Sequence, residues 1–274
     1  MTDISGKTQV LALFGDPVTH SLSPMMHNGW IADHGLDAVY VALPLKSDNA
    51  EAFFRMLGQA GFKGANITVP HKEAAARAAG FSGEAANVLA CGDDRALQAF
   101  NTDGDGFLDS LDESVPNWRS SVDRALVLGA GGAAKGIAQA LVDAGKQIVI
   151  ANRTQARAEA IAKRLEHCTT APWEDLGVVF GEADLIVNAT TLGLGGSAAP
   201  DWPVEACKSE AIVCDIVYKP LETGLLKQAR ARGLKTVDGL GMLIHQGARS
   251  FEIWFGVKPD AKVARVRLLA ALEQ

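Results

Sequence analysis

The sequence lacks the features that direct a chain to a membrane, a polyanion or a disulfide framework. None of its apolar runs approaches the ~20 residues that a membrane-spanning helix needs, and the first residues contain no signal-peptide core. Basic residues are outnumbered, 26 Lys and Arg against 32 Asp and Glu, and the net charge of -6 argues against a nucleic-acid partner. The four cysteines form no Cys-x-x-Cys pair, so no metal site is expected. Scattered thiols are typical of a reducing cytoplasm, where we expect the protein to act as a monomer or a homodimer.

The sequence does contain enough apolar material for two domains. At 274 residues it exceeds the usual size of one domain, and 48% of the residues are hydrophobic. Short apolar strands alternate with helical segments, which predicts an α/β protein with parallel sheets covered by helices. We expect an N-terminal substrate-binding domain of residues 1–104, on which C-terminal helices at about 240–274 pack back. Residues 105–239 are expected to form a Rossmann-type dinucleotide-binding domain.

Local patterns also predict single elements of the chain. The polar stretch at 113–121 is typical of a connection between domains. Residues 50–60 and 155–166 are expected to be helical, and aromatic residues near 251–255 are expected to anchor a core. In the second half, strands are predicted at 125–128, 147–151, 184–188 and 211–217, and further helices at 133–144 and 222–232.

The most informative motif joins a buried strand to a helix through a glycine turn. It reads Val127-Leu-Gly-Ala-Gly-Gly-Ala-Ala134, and the first amides of the helix would point at a pyrophosphate. A tight turn that binds nothing is the plainer explanation of such a pattern. The surrounding strand, helix and basic strand end favour dinucleotide binding. The turn residues are Gly129, Ala130, Gly131, Gly132 and Ala133.

The end of the next strand indicates which dinucleotide is bound. An acidic residue there would accept hydrogen bonds from the ribose 2′-OH of NAD and repel a 2′-phosphate. This chain has Asn152, Arg153 and Thr154, with Arg157 about one helical turn later. Because guanidinium groups bind phosphate with charged, planar donors, the sequence predicts NADP(H).

Four polar clusters stand where predicted N-terminal strands end or helices begin. Hydroxyl, amide and charged groups together suit a small polyhydroxylated molecule, since each hydroxyl needs a donor and an acceptor. Helix capping is an alternative explanation for the serines of the first cluster and for Asn101 and Asp103. The clusters are Ser21-Leu-Ser-Pro24, Asn66-Ile-Thr-Val-Pro-His-Lys72, Glu84-Ala-Ala-Asn87 and Asn101-Thr-Asp103.

Lys72 has two interpretations. A lysine near a helix start is usually solvated, and its charge is slightly unfavourable beside the helix dipole. In a cleft its ammonium could instead donate a proton to a carbonyl oxygen while hydride reaches the carbon. Asp103 would then hold the ammonium and stabilise its charged form.

Taken together in chain order, these clusters resemble the shikimate dehydrogenase family over nearly the whole chain. The resemblance also rests on Asn188-Ala-Thr190, Asp215-Ile-Val-Tyr-Lys-Pro220 and Gly239-Leu-Gly-Met-Leu-Ile-His-Gln-Gly-Ala248. It implies an NADPH-dependent, reversible reduction of 3-dehydroshikimate to shikimate in aromatic amino-acid biosynthesis.

The resemblance also implies roles for individual residues. Lys72 matches the general acid/base of the family and Asp103 matches its partner. The substrate contacts are Ser21, Ser23, Thr68, Asn87, Tyr218 and Gln246. Those assigned to the cofactor are Glu84, the glycine turn, Asn152, Arg153, Thr154, Arg157, Ile216, Gly239 and Met242.

Departures from the family pattern keep other activities open. Val88 follows Asn87 where the biosynthetic enzymes usually carry Thr, so a hydroxyl beside the substrate is expected to be lost. One alternative is a quinate/shikimate dehydrogenase-like paralogue with a shifted substrate. Another is a catalytically silent homologue that binds NADP or a shikimate-like acid, although such a protein would not need both Lys72 and Asp103. A methylene-tetrahydrofolate dehydrogenase is a fold-level alternative, but the serine-rich motif does not suit a folate.

Overall fold

A computed structural model describes residues 4–197 and 200–272. The chain divides into two compact units. The first comprises Met1–Thr102 together with Gln246–Gln274, and the second comprises Asp103–His245.

The helices and strands follow one another in an alternating order typical of α/β proteins. The strands are β1 (Gln9–Gly15), β2 (Ala38–Pro44), β3 (Phe62–Ile67), β4 (Val88–Cys91), β5 (Leu97–Phe100), β6 (Arg124–Leu128), β7 (Gln147–Ala151), β8 (Cys168–Ala171), β9 (Leu185–Asn188), β10 (Ile212–Asp215) and β11 (Lys235–Val237). The α-helices are α1 (Ser23–Asp33), α2 (Ala50–Arg55), α3 (Lys72–Ala78), α4 (Asp103–Ser114), α5 (Trp118–Ser121), α6 (Gly132–Asp143), α7 (Gln155–Ala162), α8 (Leu176–Glu182), α9 (Gly224–Ala231), α10 (Gly239–Phe255) and α11 (Ala261–Leu272).

The first unit is built on a mixed five-stranded sheet in the order β2-β1-β3-β4-β5. The pairs β1–β2 and β1–β3 are parallel, whereas β3–β4 and β4–β5 are antiparallel. The C-terminal part of the chain packs on this unit as expected, because Phe251 and Trp254 are buried and the Trp254 indole donates to the Leu89 carbonyl at 3.0 Å. These aromatic anchors confirm the predicted core role of the last helices.

The second unit is built on a wholly parallel six-stranded sheet in the order β11-β10-β9-β6-β7-β8. Read from β8, this is the doubly wound order 3-2-1-4-5-6 of dinucleotide-binding folds. The central strands β6 and β9 are fully apolar in their interior because helices cover both faces of the sheet. The predicted α/β class, with one Rossmann-type unit, is confirmed.

Several elements are shorter than the sequence predicts, and some elements of the structure are not predicted from it. The helix expected over 50–60 ends at Arg55, and the helix expected over 155–166 ends at Ala162. The strands β8 and β11 and the helix α8 were missed. Both missed strands are edge strands of three or four residues, so their apolar pattern is too short to be distinctive.

The interpretation of residues 113–121 as a connection between domains is wrong. The stretch holds the end of α4 and the helix α5, both in the second unit. Trp118 has no exposed surface, and its indole donates to the Asp112 carboxylate at 2.6 Å. The polar residues around it form the exposed side of a packed segment.

Within the described residues, no helix is both long and apolar enough to span a bilayer.

Candidate functional site

Apart from Gln246, the residues assigned to the substrate in the first unit lie close to the start or the end of a helix or strand. Ser21 and Ser23 lie at the start of α1, and Thr68 follows β3 directly. Asn87 immediately precedes β4, whereas Gln246 comes from the interior of α10. Because β3 and β4 are antiparallel, the end of β3 and the start of β4 lie at one edge of the sheet.

The structure brings Asn87 and Gln246 into direct contact, although they are 159 residues apart. The Asn87 amide donates to Gln246 Oε1 at 2.9 Å and to Thr102 Oγ1 at 3.0 Å. In return, the Thr102 backbone N–H donates to Asn87 Oδ1 at 2.8 Å, and its hydroxyl donates to the Gln246 carbonyl at 3.1 Å. Thr102 therefore fixes both residues at once, a role that sequence reasoning did not assign to it.

Asn66 extends this hydrogen-bonded network deeper into the first unit. Its Oδ1 accepts from the Tyr40 hydroxyl at 2.8 Å, and its Nδ2 donates to the Asn87 carbonyl at 3.2 Å and to Ser250 Oγ at 2.9 Å. Ser250 in turn donates to the Gln246 carbonyl at 2.9 Å. Burial raises the pKa of Tyr40 well above its ordinary value, although a hydrogen bond with the Ser23 side chain opposes the shift. The phenol therefore acts as a neutral donor at physiological pH.

Helix capping accounts for part of the first cluster, through Ser21 and not through Ser23. The residue before α1 is Leu22, which makes no side-chain capping bond, and Ser23 lies inside the helix. Ser21 Oγ accepts the Ser23 amide at 3.2 Å, so Ser21 satisfies one helix amide from outside. The Asn101 amide donates to the Ala85 carbonyl at 2.9 Å and ties two loops together.

Lys72 is the first residue of α3 and is half-buried. Its carbonyl accepts the Ala86 amide at 2.9 Å. The preceding residue, His71, is buried, and its Nε2 lies 2.6 Å from the Leu45 carbonyl. Together these bonds fix the backbone on both sides of the Lys72 side chain.

Asp103 and Glu84 come from other elements of the chain than Lys72. Asp103 is the buried first residue of α4 and belongs to the second unit. Glu84 is exposed in the loop between α3 and β4. Glu84 belongs to the first unit, although the family pattern assigns it to the cofactor.

Val88 follows Asn87 directly and begins β4, and the loss of a hydroxyl beside the substrate at this position stays a prediction. Val88 is 0% exposed. It pairs with Asn66 on one side and Phe100 on the other. Because successive side chains of a strand point to opposite faces, Val88 and Asn87 project differently. The valine packs inside the sheet.

In the second unit, the glycine turn has the geometry that an anion requires. Gly129 has φ +108°, a left-handed conformation that L side chains rarely adopt. A Cβ at Gly131 would meet only open space, and α6 begins at Gly132 without a side-chain cap. The first amides of a 12-residue helix thus face an accessible turn. These features fit a dinucleotide pyrophosphate.

The basic residues after β7 are exposed, as a phosphate site requires. Arg153, Thr154 and Arg157 all lie on the surface, and α7 begins directly after Thr154. The Asn152 amide donates to the Thr154 carbonyl at 2.9 Å and shapes the turn. Two guanidinium groups and the helix N-terminus at this turn fit a 2′-phosphate.

Ile216 and Gly239, which the family pattern places near the nicotinamide, touch each other. Ile216 N–H donates to the Asn188 carbonyl at 3.0 Å, and a Cβ at Gly239 would collide with the Ile216 carbonyl. Only glycine allows this close approach. Met242 is buried in the hydrophobic core of the same unit, with Ile216 packed against that core, and Tyr218 is half-buried.

Among residues 4–197 and 200–272, no group of three or more His, Cys, Asp or Glu side chains could hold a metal ion.

Three family profiles match the chain. The profile of the shikimate dehydrogenase substrate binding domain matches residues 13–92. That of shikimate / quinate 5-dehydrogenase matches residues 112–193. The profile of the shikimate 5′-dehydrogenase C-terminal domain matches residues 239–269.

Individual relatives match almost end to end. The shikimate dehydrogenase (NADP(+)) of Rhodospirillum rubrum is 44% identical, over 94% of this chain and 95% of its own length. The structure of shikimate 5-dehydrogenase from Thermus thermophilus in complex with NADP(H) and shikimate has a TM-score of 0.83 and 37% identity, covering 95% of this chain and 100% of that one. Quinate dehydrogenase from Corynebacterium glutamicum in complex with NAD has a TM-score of 0.85 and 30% identity, covering 96% and 99%.

Proposed function

Because the chain belongs to the shikimate dehydrogenase family of NADP-dependent oxidoreductases, we propose that it catalyses the reversible reduction of 3-dehydroshikimate to shikimate. One observation carries the choice of substrate. Two residues assigned to the substrate, Asn87 and Gln246, are hydrogen-bonded to each other and held by Thr102. Neutral amides fixed in this way suit the hydroxyl groups of a small ring acid.

In this mechanism the substrate ketone gains a hydride at carbon and a proton at oxygen, and becomes a secondary alcohol. NADPH supplies the hydride when it is bound. Lys72 donates the proton as negative charge develops on the oxygen, and it takes the proton back in the reverse direction. We assign Asp103 as the carboxylate partner that stabilises the charged ammonium. The fixed backbone on both sides of Lys72 limits the positions of its side chain.

The remaining assigned residues orient the two ligands. Ser21, Ser23, Thr68 and Tyr218, together with Asn87 and Gln246, are the proposed contacts to the substrate carboxylate and hydroxyls. The amides of the glycine turn and α6 would hold the pyrophosphate. Asn152, Arg153, Thr154 and Arg157 would hold the 2′-phosphate, and the exposure of the two arginines supports this assignment.

The test follows formation of the reduced nicotinamide cofactor by the purified protein with shikimate and quinate at equal concentration, each with NADP⁺ and with NAD⁺. We expect rapid turnover of shikimate with NADP⁺ and slow turnover of the other three combinations. Faster oxidation of quinate would replace the proposal with a quinate dehydrogenase-like activity. Equilibrium binding of shikimate and NADP⁺ without turnover of either acid would identify a silent ligand-binding homologue.

We also propose that the protein acts in the cytoplasm, which the free state of its four cysteines supports.

A further inference from the structure

Two neighbouring loops of the second unit begin at a pair of buried polar residues that the mechanism does not use. Asn188 ends β9 and Asp215 ends β10, and the two are register partners in the parallel sheet. Asn188 is 0% exposed and Asp215 is 2% exposed. The Asn188 amide donates to Asp215 Oδ1 at 3.0 Å. The pair therefore joins the two strands at the edge where doubly wound sheets bind their ligands.

The Asp215 carboxylate organises the loop that follows β10. Its Oδ1 also accepts the backbone amide of Val217 at 3.0 Å, which closes a turn around Ile216. Its Oδ2 accepts the Thr223 hydroxyl at 2.7 Å. Thr223 in turn caps α9 by accepting the Leu226 amide at 3.4 Å. One carboxylate thus fixes both ends of the segment that carries Tyr218.

Asn188 does the same for the loop after β9. Its Oδ1 accepts both the backbone amide and the hydroxyl of Thr190, at 3.1 and 2.7 Å. Its Nδ2 donates to the Leu192 carbonyl at 3.2 Å as well as to Asp215. The two side chains form one connected hydrogen-bonded unit, which we call the Asn188–Asp215 junction.

We propose that Asp215 is a positioning residue: it acts through the Asn188–Asp215 junction to hold Ile216 and Tyr218 in the places that hydride transfer and substrate binding require. The assignment of Tyr218 and Ile216 to the ligands rests on the proposed function. Ile216 is held on three sides, by the Asn188 carbonyl, by the turn that Asp215 closes, and by the backbone of Gly239. A shift of the carboxylate would therefore displace this segment.

Keeping a carboxylate at this position is costly, which argues that its donors are needed. Burial raises the pKa of Asp215 to about 6, although the hydrogen bonds from Thr223, Val217 and Asn188 oppose the shift. Near neutral pH the group is an ionised acceptor for all three donors. An apolar side chain would fill the space without this desolvation cost but would leave the three donors unpaired.

The chain offers a direct probe, because it contains only two tyrosines. Tyr40 is buried in the first unit and Tyr218 is half-buried in the second. Fluorine NMR of protein labelled with fluorotyrosine should show two resonances, which Tyr40→Phe assigns. In Asp215→Asn we expect the Tyr218 resonance to shift and broaden and the Tyr40 resonance to stay in place. An unchanged Tyr218 resonance would overturn the inference.

A second pair of variants covers the case in which Asp215→Asn fails to fold. Thr223→Val removes the donor to Asp215 Oδ2 and leaves the carboxylate in place, whereas Thr223→Ser keeps the hydroxyl. The valine variant should disturb the Tyr218 resonance, and the serine variant should show it at the position found in the native protein. Equal spectra for the two variants would contradict the inference.

Kinetics separate positioning from simple destabilisation. We expect Asp215→Asn to raise the KM for shikimate and lower kcat, each on the order of tenfold. Binding of 2′,5′-ADP, a probe of the adenosine end alone, should not change. Val179→Ala, a core substitution within α8, should lower Tm without changing KM. If Asp215→Asn lowers Tm but leaves KM and kcat intact, the role of Asp215 is structural.

If the native protein turns over neither acid, the proposed function fails, while the NMR result still decides whether Asp215 positions Tyr218.

Discussion

The two units support their candidate ligand residues by different means. In the first, the supporting groups are neutral amides and hydroxyls inside the fold, such as Asn66, Thr102 and Ser250. In the second, backbone amides of a glycine turn and exposed guanidinium groups face the solvent. Neutral groups fixed in a network discriminate between arrangements of hydroxyls, whereas exposed cations attract a phosphate with little need for burial. Substrate recognition should therefore be coupled to the stability of its unit, and 2′-phosphate recognition should not.

The two units also differ in the titratable group that each buries. His27 in the first unit is packed among aromatic rings, including those of Trp30 and Tyr40, beside the Asn66 side chain. Asp215 in the second unit accepts three hydrogen bonds. The first group is held neutral by its surroundings, and the second is held ionised at neutral pH by its donors.

The largest effect is expected at Lys72, which no other group of the proposed mechanism replaces. Lys72→Ala should lower kcat by about a hundredfold to ten-thousandfold, the usual range for a general acid/base. The Kd for NADP⁺ should change little, because the residues proposed to hold the pyrophosphate and the 2′-phosphate lie in the second unit. Steady-state kinetics and titration of NADP⁺ binding check both statements. Lys46→Ala, at an exposed lysine of the same unit, is the control. Turnover that survives in Lys72→Ala would remove Lys72 from the mechanism.

A smaller effect is expected at Arg153 and Arg157 of the second unit, and it should concern the cofactor and leave the stability unchanged. The double substitution Arg153→Ala and Arg157→Ala should raise the KM for NADP⁺ by about tenfold to a hundredfold, through loss of charged hydrogen bonds. The KM for NAD⁺ and the Tm should stay the same, because both arginines are exposed. Arg164→Ala, at an exposed position beyond α7, is the control. An equal loss with NAD⁺ would show that the arginines do not read the 2′-phosphate.

Thr102→Val is the counterpart in the first unit and should show the opposite pattern. It removes hydrogen bonds to Asn87 and Gln246, so the KM for shikimate should rise and Tm should fall together. Thr102→Ser should recover both. A fall in Tm with an unchanged KM would mean that the network supports the fold alone, and the coupling between recognition and stability would be lost.

How far the sequence predicts this molecule depends on whether a feature is local. The glycine turn after β6 and the basic end of β7 are contiguous motifs. The apolar strands and the amphipathic helix around them predict their secondary structure. The contacts of Thr102 with Asn87 and Gln246 join residues that are 15 and 144 apart. No local pattern marks such pairs, since a buried threonine and a surface threonine look alike in sequence. For the same reason the sequence favours a connection around Trp118, because no local pattern marks its place in a core with residues of β6 and β7.

The smallest effect on activity, and a clear one on stability, is expected at His27. Its ring stacks on Tyr40 with centroids 4.3 Å apart and meets Trp30 edge-on at 5.3 Å. Burial lowers its pKa from 6.5 to about 3, and the nearby Asn66 amide opposes the shift only partly. Between these values the unfolded chain binds a proton that the folded protein excludes. The free energy of unfolding should therefore fall as pH drops below 6.5, by up to about 1.4 kcal/mol per pH unit.

His27→Phe should remove this dependence, and urea denaturation between about pH 5 and pH 8 would measure it. Asp215 contributes with the opposite sign, because a carboxyl with a raised pKa loses its stabilising contribution as pH rises from 3.8 to about 6. The slope of the native protein is thus a sum, and only its difference from the variant isolates His27. Phe251→Leu, which alters a neighbouring ring, should lower the free energy of unfolding at every pH and keep the native slope. If His27→Phe also keeps the native slope, the histidine is protonated inside the fold, and the first unit tolerates a buried charge as the second unit does.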